Sequence, residues 1–353
     1  MMGKRIAVVG AGALGGYVGG YLAHHDEDVT LIDMWPDNIE AIRARGLELD
    51  GMTAEEQFSV TKAKTMHLTE VQSLSKQRPV DIAFVSVKSY DTEWATMLIK
   101  PYLAADGYVV SLQNCVNEEK IAAIVGWGKT LGVIASVISV DMHEAGRIRR
   151  TVAKGGDAHT VFRIGEVHGT LTTRVHELVR MFSLIDSAKP TANLWGERWS
   201  KLCQNGMRNG VSAVTGLSSP QCDQNAAVRR YSIRLGGEAV RVGQALGYQL
   251  ENLGKLKPEV LALAAEGDAG AMTQVEELMT ARAHGNPRGD IQRPSMAQDI
   301  GKGRRTEIDF MNGYIVDKGR ALGVPTPTHE KLTDLVRRLE RGEIRPSPVH
   351  LAG

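Results

Sequence analysis

The sequence predicts an α/β domain followed by an all-helical one, and three observations carry that reading. Residues 4–138 alternate short apolar runs of strand length with stretches at helical spacing. The strand-like runs are rich in Val, Ile, Leu and Ala with little polar alternation, as in a parallel sheet covered on both faces. From about Leu194 onward such runs cease, and helix formers carry apolar residues three and four positions apart. At 353 residues the chain exceeds the ~250–300 at which single cores stop growing. Two domains are therefore expected, at 1–190 and 191–342, with a loose Pro- and Ser-containing tail at 343–353.

The elements follow in order. Lys4-Arg5 lead into Ile6-Ala7-Val8-Val9, a strand at 5–9, and Gly10-Ala11-Gly12-Ala13-Leu14-Gly15 then opens a helix at 13–24. A second strand, 28–33, ends on Asp33. Strand, glycine turn, helix and strand-terminal acid together form a dinucleotide-binding fingerprint, far more specific than its glycines alone. Gly10 permits the tight turn, Gly12 lets the backbone approach a pyrophosphate, and Gly15 lets the helix pack closely on the sheet. The free N–H groups of the first turn, around Ala13 and Leu14, would hold that pyrophosphate. The first half thus reads as a Rossmann nucleotide-binding domain, with a nicotinamide or flavin cofactor as the expectation.

Pro36 suits the first turn of a helix at 36–45, where its missing N–H costs nothing. Further strands are expected at 82–87, 107–112 and 131–138, and helices at 90–100 and 117–125. Past residue 140 the pattern changes, and 148–153 and 161–164 suit late strands, antiparallel ones included. In the second half, helices are expected at 196–215, 223–248, 256–266 and 271–283. Gly285-Asn286-Pro287 and Gly289 break the pattern before a helix at 299–322. Pro325 and Pro327 separate that helix from a last one beginning near Thr328. The active site is expected in the cleft between the domains.

Composition narrows the function classes. The chain is 42% apolar and 24% charged with a net charge of +1, ordinary for a soluble enzyme. No long basic tract appears, so neither nucleic acid nor an anionic membrane is an expected partner. Arg147, Arg149 and Arg150 read as a solvated face. No signal peptide and no membrane-length apolar run is found. Three cysteines, Cys115, Cys203 and Cys222, form neither a disulfide framework nor a zinc pattern, which fits a reducing cytoplasm. Ten histidines lack metal-like spacing, and no metal site is expected.

Asp33 can accept hydrogen bonds from both adenosine ribose hydroxyls, whereas the 2′-phosphate of NADP would set like charge beside it. Met34-Trp35-Pro36-Asp37 follow with no Arg or Lys, so NAD is favoured over NADP. A helix-capping or solvent-facing acid would look the same. Lys88, in Val85-Ser86-Val87-Lys88-Ser89-Tyr90, follows a strand whose carboxyl end would line the ligand crevice; a salt-bridged surface lysine is the other reading. Asn114, in Leu112-Gln113-Asn114-Cys115-Val116-Asn117, suits the nicotinamide ribose, its carboxamide or a substrate hydroxyl, or else a turn. Lys201, Asn205 and Asn209 recur every four residues and would share one helix face, as a polar site wall or an exposed stripe.

These pieces together resemble the ketopantoate reductase (2-dehydropantoate 2-reductase) family over nearly the whole chain. The matching parts are the glycine turn, Val87-Lys88, Gln113-Asn114, and Trp199-Ser200-Lys201 with Asn205 and Asn209. To these is added the run Ser295-Met296-Ala297-Gln298-Asp299 through Arg304-Arg305-Thr306-Glu307-Ile308-Asp309-Phe310-Met311-Asn312-Gly313. The resemblance implies a Rossmann domain joined to an all-helical C-terminal domain, often as a homodimer, acting on a small keto or hydroxy acid. It implies that Lys201 hydrogen-bonds the keto oxygen and donates its proton as hydride arrives. Asn205 and Glu307 would hold the substrate's distal hydroxyl, Ser295 its carboxylate, and Asn114 would bridge cofactor and substrate. Asn209 would belong to the substrate wall, and Lys88 to the cofactor side. Such chemistry suits these residue types, because an ammonium stabilises the charge developing on a ketone oxygen. Glu307 could also tune Lys201, although taken alone it is an ordinary solvated helix acid.

Two departures limit the match. Cys115 stands where the family commonly has glycine after Gln-Asn, and Asp33 departs from the basic or neutral surroundings of NADP-dependent members. An NAD-dependent dehydrogenase oxidising another hydroxylated metabolite, and a nonenzymatic NAD-binding sensor, are the competing expectations.

Overall fold

A computed structural model of the chain describes residues 3–284 and 293–351. The chain divides into two compact units, Met1–Leu194 and Trp195–Gly353.

The first unit opens with β1 (Arg5–Val9), α1 (Ala13–His24), β2 (Asp28–Asp33) and α2 (Pro36–Arg45), as the sequence predicts. Three short strands follow, β3 (Leu47–Asp50), β4 (Phe58–Val60) and β5 (Lys64–His67). Then come β6 (Val80–Val85), α3 (Thr92–Ile99), β7 (Leu103–Ser111), α4 (Glu118–Val125) and β8 (Thr130–Ala135). The unit closes with β9 (Val140–Glu144), β10 (Arg147–Arg150), β11 (Phe162–Glu166), α5 (Thr173–Ser183) and β12 (Ala188–Pro190).

Eight strands form the main sheet in the order β12-β11-β8-β7-β6-β1-β2-β5. Strands β5 to β8 of that order run parallel, and β11 pairs antiparallel with β8, as the late apolar run at 161–164 allowed. Alternation sorts the side chains of each strand to two cores. Ile6, Val8, Leu31 and Phe84 join one cluster, while Ala7, Val9, Ile32 and Val85 join the other. The pairings Val9↔Ile32, Val9↔Val85 and Val85↔Ser111 end these strands on one line. Whatever follows Val9, Asp33, Val85 and Ser111 therefore emerges along one rim.

A second sheet, β4-β3-β10-β9, went unforeseen. It lies over α1, so that helix is enclosed between two sheets. Its paired glycines make this possible. A Cβ on Gly19 would lie 2.6 Å from Leu31 of the main sheet, and one on Gly16 would lie 2.7 Å from Ile148 of the second. Arg150 corrects the reading of a solvated arginine face. It is 1% exposed, pairs with Asp186 at 2.6 Å and donates to the Tyr17 hydroxyl at 3.2 Å. A guanidinium this deep needs all those partners, because an unpaired buried charge is costly. Arg147 and Arg149 do lie at the surface, paired with Glu48 and Asp50.

The second unit is helical: α6 (Leu194–Gly206), α7 (Asn209–Thr215), α8 (Ser219–Gln224), α9 (Ala226–Ala245), α10 (Pro258–Ala265), α11 (Ala269–His284), α12 (Ser295–Gly301), α13 (Ile308–Leu322) and α14 (Pro327–Glu340). The breaker Gly285-Asn286-Pro287 with Gly289 lies outside the described residues. Two expected helices are each split. The stretch 196–215 breaks at Met207-Arg208, where Arg208 turns out to pair with Asp223 at 2.7 Å and the Gly206 carbonyl accepts from Asn312. The stretch 299–322 breaks because Gly303 adopts φ +62° and the Arg304 amide returns to the Asp299 carbonyl, a helix-ending turn. The expected loose tail is also corrected. The Ser347 amide donates to Val214 O at 2.8 Å and Leu351 is 1% exposed, so residues 347–351 pack on α7. Burying one large apolar side chain outweighs the local Pro and Ser content. Among the described residues, no helix is long and apolar enough to cross a membrane, and no His/Cys/Asp/Glu group is arranged to hold a metal.

Candidate active site

The rim of the main sheet carries the candidate cofactor residues of the first unit. Gly10 has φ +97°, and a Cβ there would meet the Val87 amide nitrogen at 2.8 Å. A Cβ on Gly15 would lie 2.1 Å from the Gly10 carbonyl oxygen. Both glycines are thus required by the protein's own backbone. Gly12 differs: among the described residues nothing lies within 4 Å of where its Cβ would be. The space there is open toward the start of α1, where no described side chain caps the helix and no acid occupies the first turn. Amides around Ala13 and Leu14 are left to meet an anion. The cradle fits a dinucleotide pyrophosphate.

Asp33 is 8% exposed at the end of β2. Its carboxylate accepts from the Trp35 amide at 2.9 Å and from Asn38 Nδ2 at 3.4 Å. Burial raises its carboxyl above the usual range, and the Trp35 and Asn38 bonds oppose that shift. Asn38 also donates to Ala11 O at 3.1 Å, tying the acid to the glycine turn. The Ala11 and Met34 backbone amides oppose the shift as well, so the carboxylate is held by the turn around it.

Lys88 and Asn114, both half-buried, stand on neighbouring rim loops. Two carboxamides join those loops. Gln113 Nε2 donates to Val87 O at 2.8 Å and to Thr92 Oγ1 at 2.9 Å. Asn117 Nδ2 donates to Ser89 Oγ at 3.0 Å and to Asn114 O at 2.9 Å. Between Asn114 and Asn117, Cys115 has φ +64°, a left-handed conformation that favours glycine. The sequence gives neither carboxamide a part beforehand; their signal is the density of amides in Gln113-Asn114-Cys115-Val116-Asn117.

The remaining candidate residues lie on helices of the second unit. Lys201 and Asn205 share a face of α6 and are half-buried. Asn209 does not continue that face, because it heads α7 beyond the break. It is 8% exposed, with Nδ2 3.7 Å from Met311 Sδ. Ser295 begins α12, which packs against α7. Glu307 immediately precedes α13, and its carbonyl accepts from Phe310 and Met311 while its side chain makes no cap to that helix. It is 5% exposed, which replaces the reading of a solvated helix acid.

One buried network fixes this corner. Asn312 Nδ2 reaches Gly206 O at 2.9 Å and His329 Nδ1 at 3.0 Å, and His329 Nε2 reaches Leu235 O at 2.8 Å. Two carbonyl acceptors fix the donors, so the imidazole is neutral with its proton on Nε2. Burial pushes His329 down to about 4. Neither residue was singled out from the sequence, and no local pattern around His329 signals it.

Glycine cradle, buried strand-end acid and a helical second unit define the class: a dinucleotide-binding oxidoreductase. The ketopantoate reductase PanE/ApbA family model matches residues 6–163, and the model of its C-terminal domain matches 193–340. The 2-dehydropantoate 2-reductase of Archaeoglobus fulgidus is 27% identical over 342 residues, covering 96% of this chain and 99% of that protein. That of Pyrococcus horikoshii is 29% identical, covering 95% and 97%. The crystal structure of a PanE/ApbA family ketopantoate reductase from Ralstonia eutropha is similar with a TM-score of 0.77 and 27% identity, covering 96% and 99%. The ternary structure of D-mandelate dehydrogenase with NADH and anilino(oxo)acetate, 21% identical with a TM-score of 0.76 over 96% and 99%, shares the fold. The chain belongs to the ketopantoate reductase family. It is an oxidoreductase that uses a nicotinamide dinucleotide.

Proposed function

We propose that the chain reduces a small 2-keto acid to its 2-hydroxy acid, with ketopantoate as the named candidate and NAD(H) as the preferred cofactor. The observation that carries this is that the helical unit sets Lys201 and Asn205 on one face of α6 and also buries Glu307 at the start of α13. The nicotinamide, when bound, supplies the hydride. Lys201 holds its ammonium against the keto oxygen and gives up a proton as charge gathers there. Asn205 and Glu307 hold a distal hydroxyl, Ser295 the carboxylate, and Asn209 completes the wall. Asn114 and Lys88 orient the cofactor side. NADH oxidation dependent on ketopantoate is the test; turnover of other 2-keto acids without ketopantoate would reject the narrow substrate and keep the chemistry.

Asp33 supports the cofactor preference, since its buried carboxylate sits where a 2′-phosphate would bring like charge. Comparing kcat/KM for NADH and NADPH checks it, and a clear NADPH preference would overturn it. Asp33 also favours a second reading, oxidation of a different hydroxylated metabolite with NAD, which a screen of hydroxy acids and alcohols separates. NADH binding without turnover across both screens would revive the sensor. We place the protein in the cytoplasm as a homodimer with no nucleic-acid or membrane partner; light scattering on the purified chain checks the dimer.

A further inference from the structure

We propose that Asn117 is a positioning residue for the cofactor, holding Cys115 in its left-handed conformation and thereby setting Asn114. The segment Asn114 to Asn117 leaves the rim at the end of β7. Its course depends on Cys115 at φ +64°. A side-chain-bearing residue holds that conformation only when its surroundings over-determine it. Asn117 supplies the constraint. Its Nδ2 closes the turn on Asn114 O at 2.9 Å and anchors it to Ser89 Oγ at 3.0 Å, beside Lys88. The Asn117 carbonyl in turn accepts from Lys120 and Ile121, so the side chain is mounted on the first turn of α4.

The amide is used for its donors. Asn117 is 1% exposed, and among the described residues its Oδ1 has no hydrogen-bond partner. A role in packing alone would not retain a buried orphan acceptor. Without the two donated bonds, Cys115 relaxes toward ordinary negative φ and the loop adopts its binding form only part of the time. Apparent affinity then falls in proportion to that fraction. The proposal rests on the nicotinamide dinucleotide assigned to this rim and not on the identity of the substrate.

Replacing Cys115 by glycine gives a specific test, because glycine takes the left-handed conformation without the constraint. NADH is titrated by its fluorescence into the full chain, N117A, C115G and the C115G/N117A double variant. N117A is expected to bind NADH about tenfold more weakly than the unaltered chain. In the C115G background the same change is expected to cost under about threefold. Equal losses in both backgrounds, or no loss in N117A, would overturn the proposal and leave Asn117 a structural residue. Should N117A fail to fold, Asn117→Asp keeps the volume while removing both donors, and the same two-background comparison decides. If the unaltered chain binds neither NADH nor NADPH, the cofactor reading falls and this proposal with it. Turnover plays no part in the readout, so the substrate assignment can fail independently.

Discussion

At the strand rim, Asn114 is held by its own neighbourhood: Asn117, three residues on, closes the turn around it. At the helix corner, the end of α6 is held by Asn312, 106 residues away, and through it by His329. The rim therefore keeps its shape through one local turn and through bonds between adjoining loops of a single continuous sheet. The corner keeps its shape only while α6, α13 and α14 remain docked. Perturbations of packing and protonation should reach the corner first, and changes of single backbone positions should reach the rim.

The largest expected effect lies at the corner. Lys201→Ala should bind NADH normally yet lose about 10²–10⁴-fold in kcat/KM, the usual loss when a positioned proton donor is removed. Lys201→Arg should not restore the rate, since a guanidinium does not give up its proton at neutral pH. Near-normal turnover in folded Lys201→Ala would remove it from the chemistry.

Acid should loosen the same region. His329 is held down to about 4, below its value of 6.5 in an unfolded chain. Between those values the unfolded state binds the extra proton, so the contribution is complete above about pH 6.5 and is lost as pH falls toward 4. It amounts to about 3 kcal/mol across that window. Thermal melts at pH 7 and 5 should show the drop, and His329→Gln should flatten it. A slope unchanged in that variant would place the acid sensitivity elsewhere.

At the rim the corresponding change concerns Gly12. Gly12→Ala should melt like the unaltered chain, because open space receives its Cβ, while NADH affinity falls about a hundredfold as the pyrophosphate is pushed off the α1 amides. A large drop in melting temperature with unchanged affinity would contradict the cradle. Smallest is Glu307→Gln, expected to cost about tenfold in kcat/KM for a hydroxylated 2-keto acid and little for its deoxy analogue. Equal losses on both substrates would make Glu307 an electrostatic or structural residue.

The same contrast explains what could be read in advance. β1, α1, β2 and α2 were read to the residue because caps, turns and apolar runs are local signals. The second sheet was missed since it pairs Glu48 with Arg147 across the chain, through strands of three to five residues. The spaced glycine pairs Gly15-Gly16 and Gly19-Gly20, and the late strand expected at 148–153 that forms β10, are its visible traces. Lys201 and Asn205 stand out through four-residue spacing, which wrongly extends their helix to Asn209, whereas Glu307 stands out only through a family resemblance. Nothing near Arg150 or His329 in the sequence announces the partners that let polar groups be buried.

Enclosure of α1 between two sheets has an electrical consequence. Nine of its twelve residues are buried, so low-dielectric material flanks the helix where water and ions would otherwise lie. The partial positive charge at its amino end is then poorly screened along its length. Salt should shorten the reach of exposed charges within ~8 Å at physiological strength, yet leave the field of this helix at Gly12 largely intact.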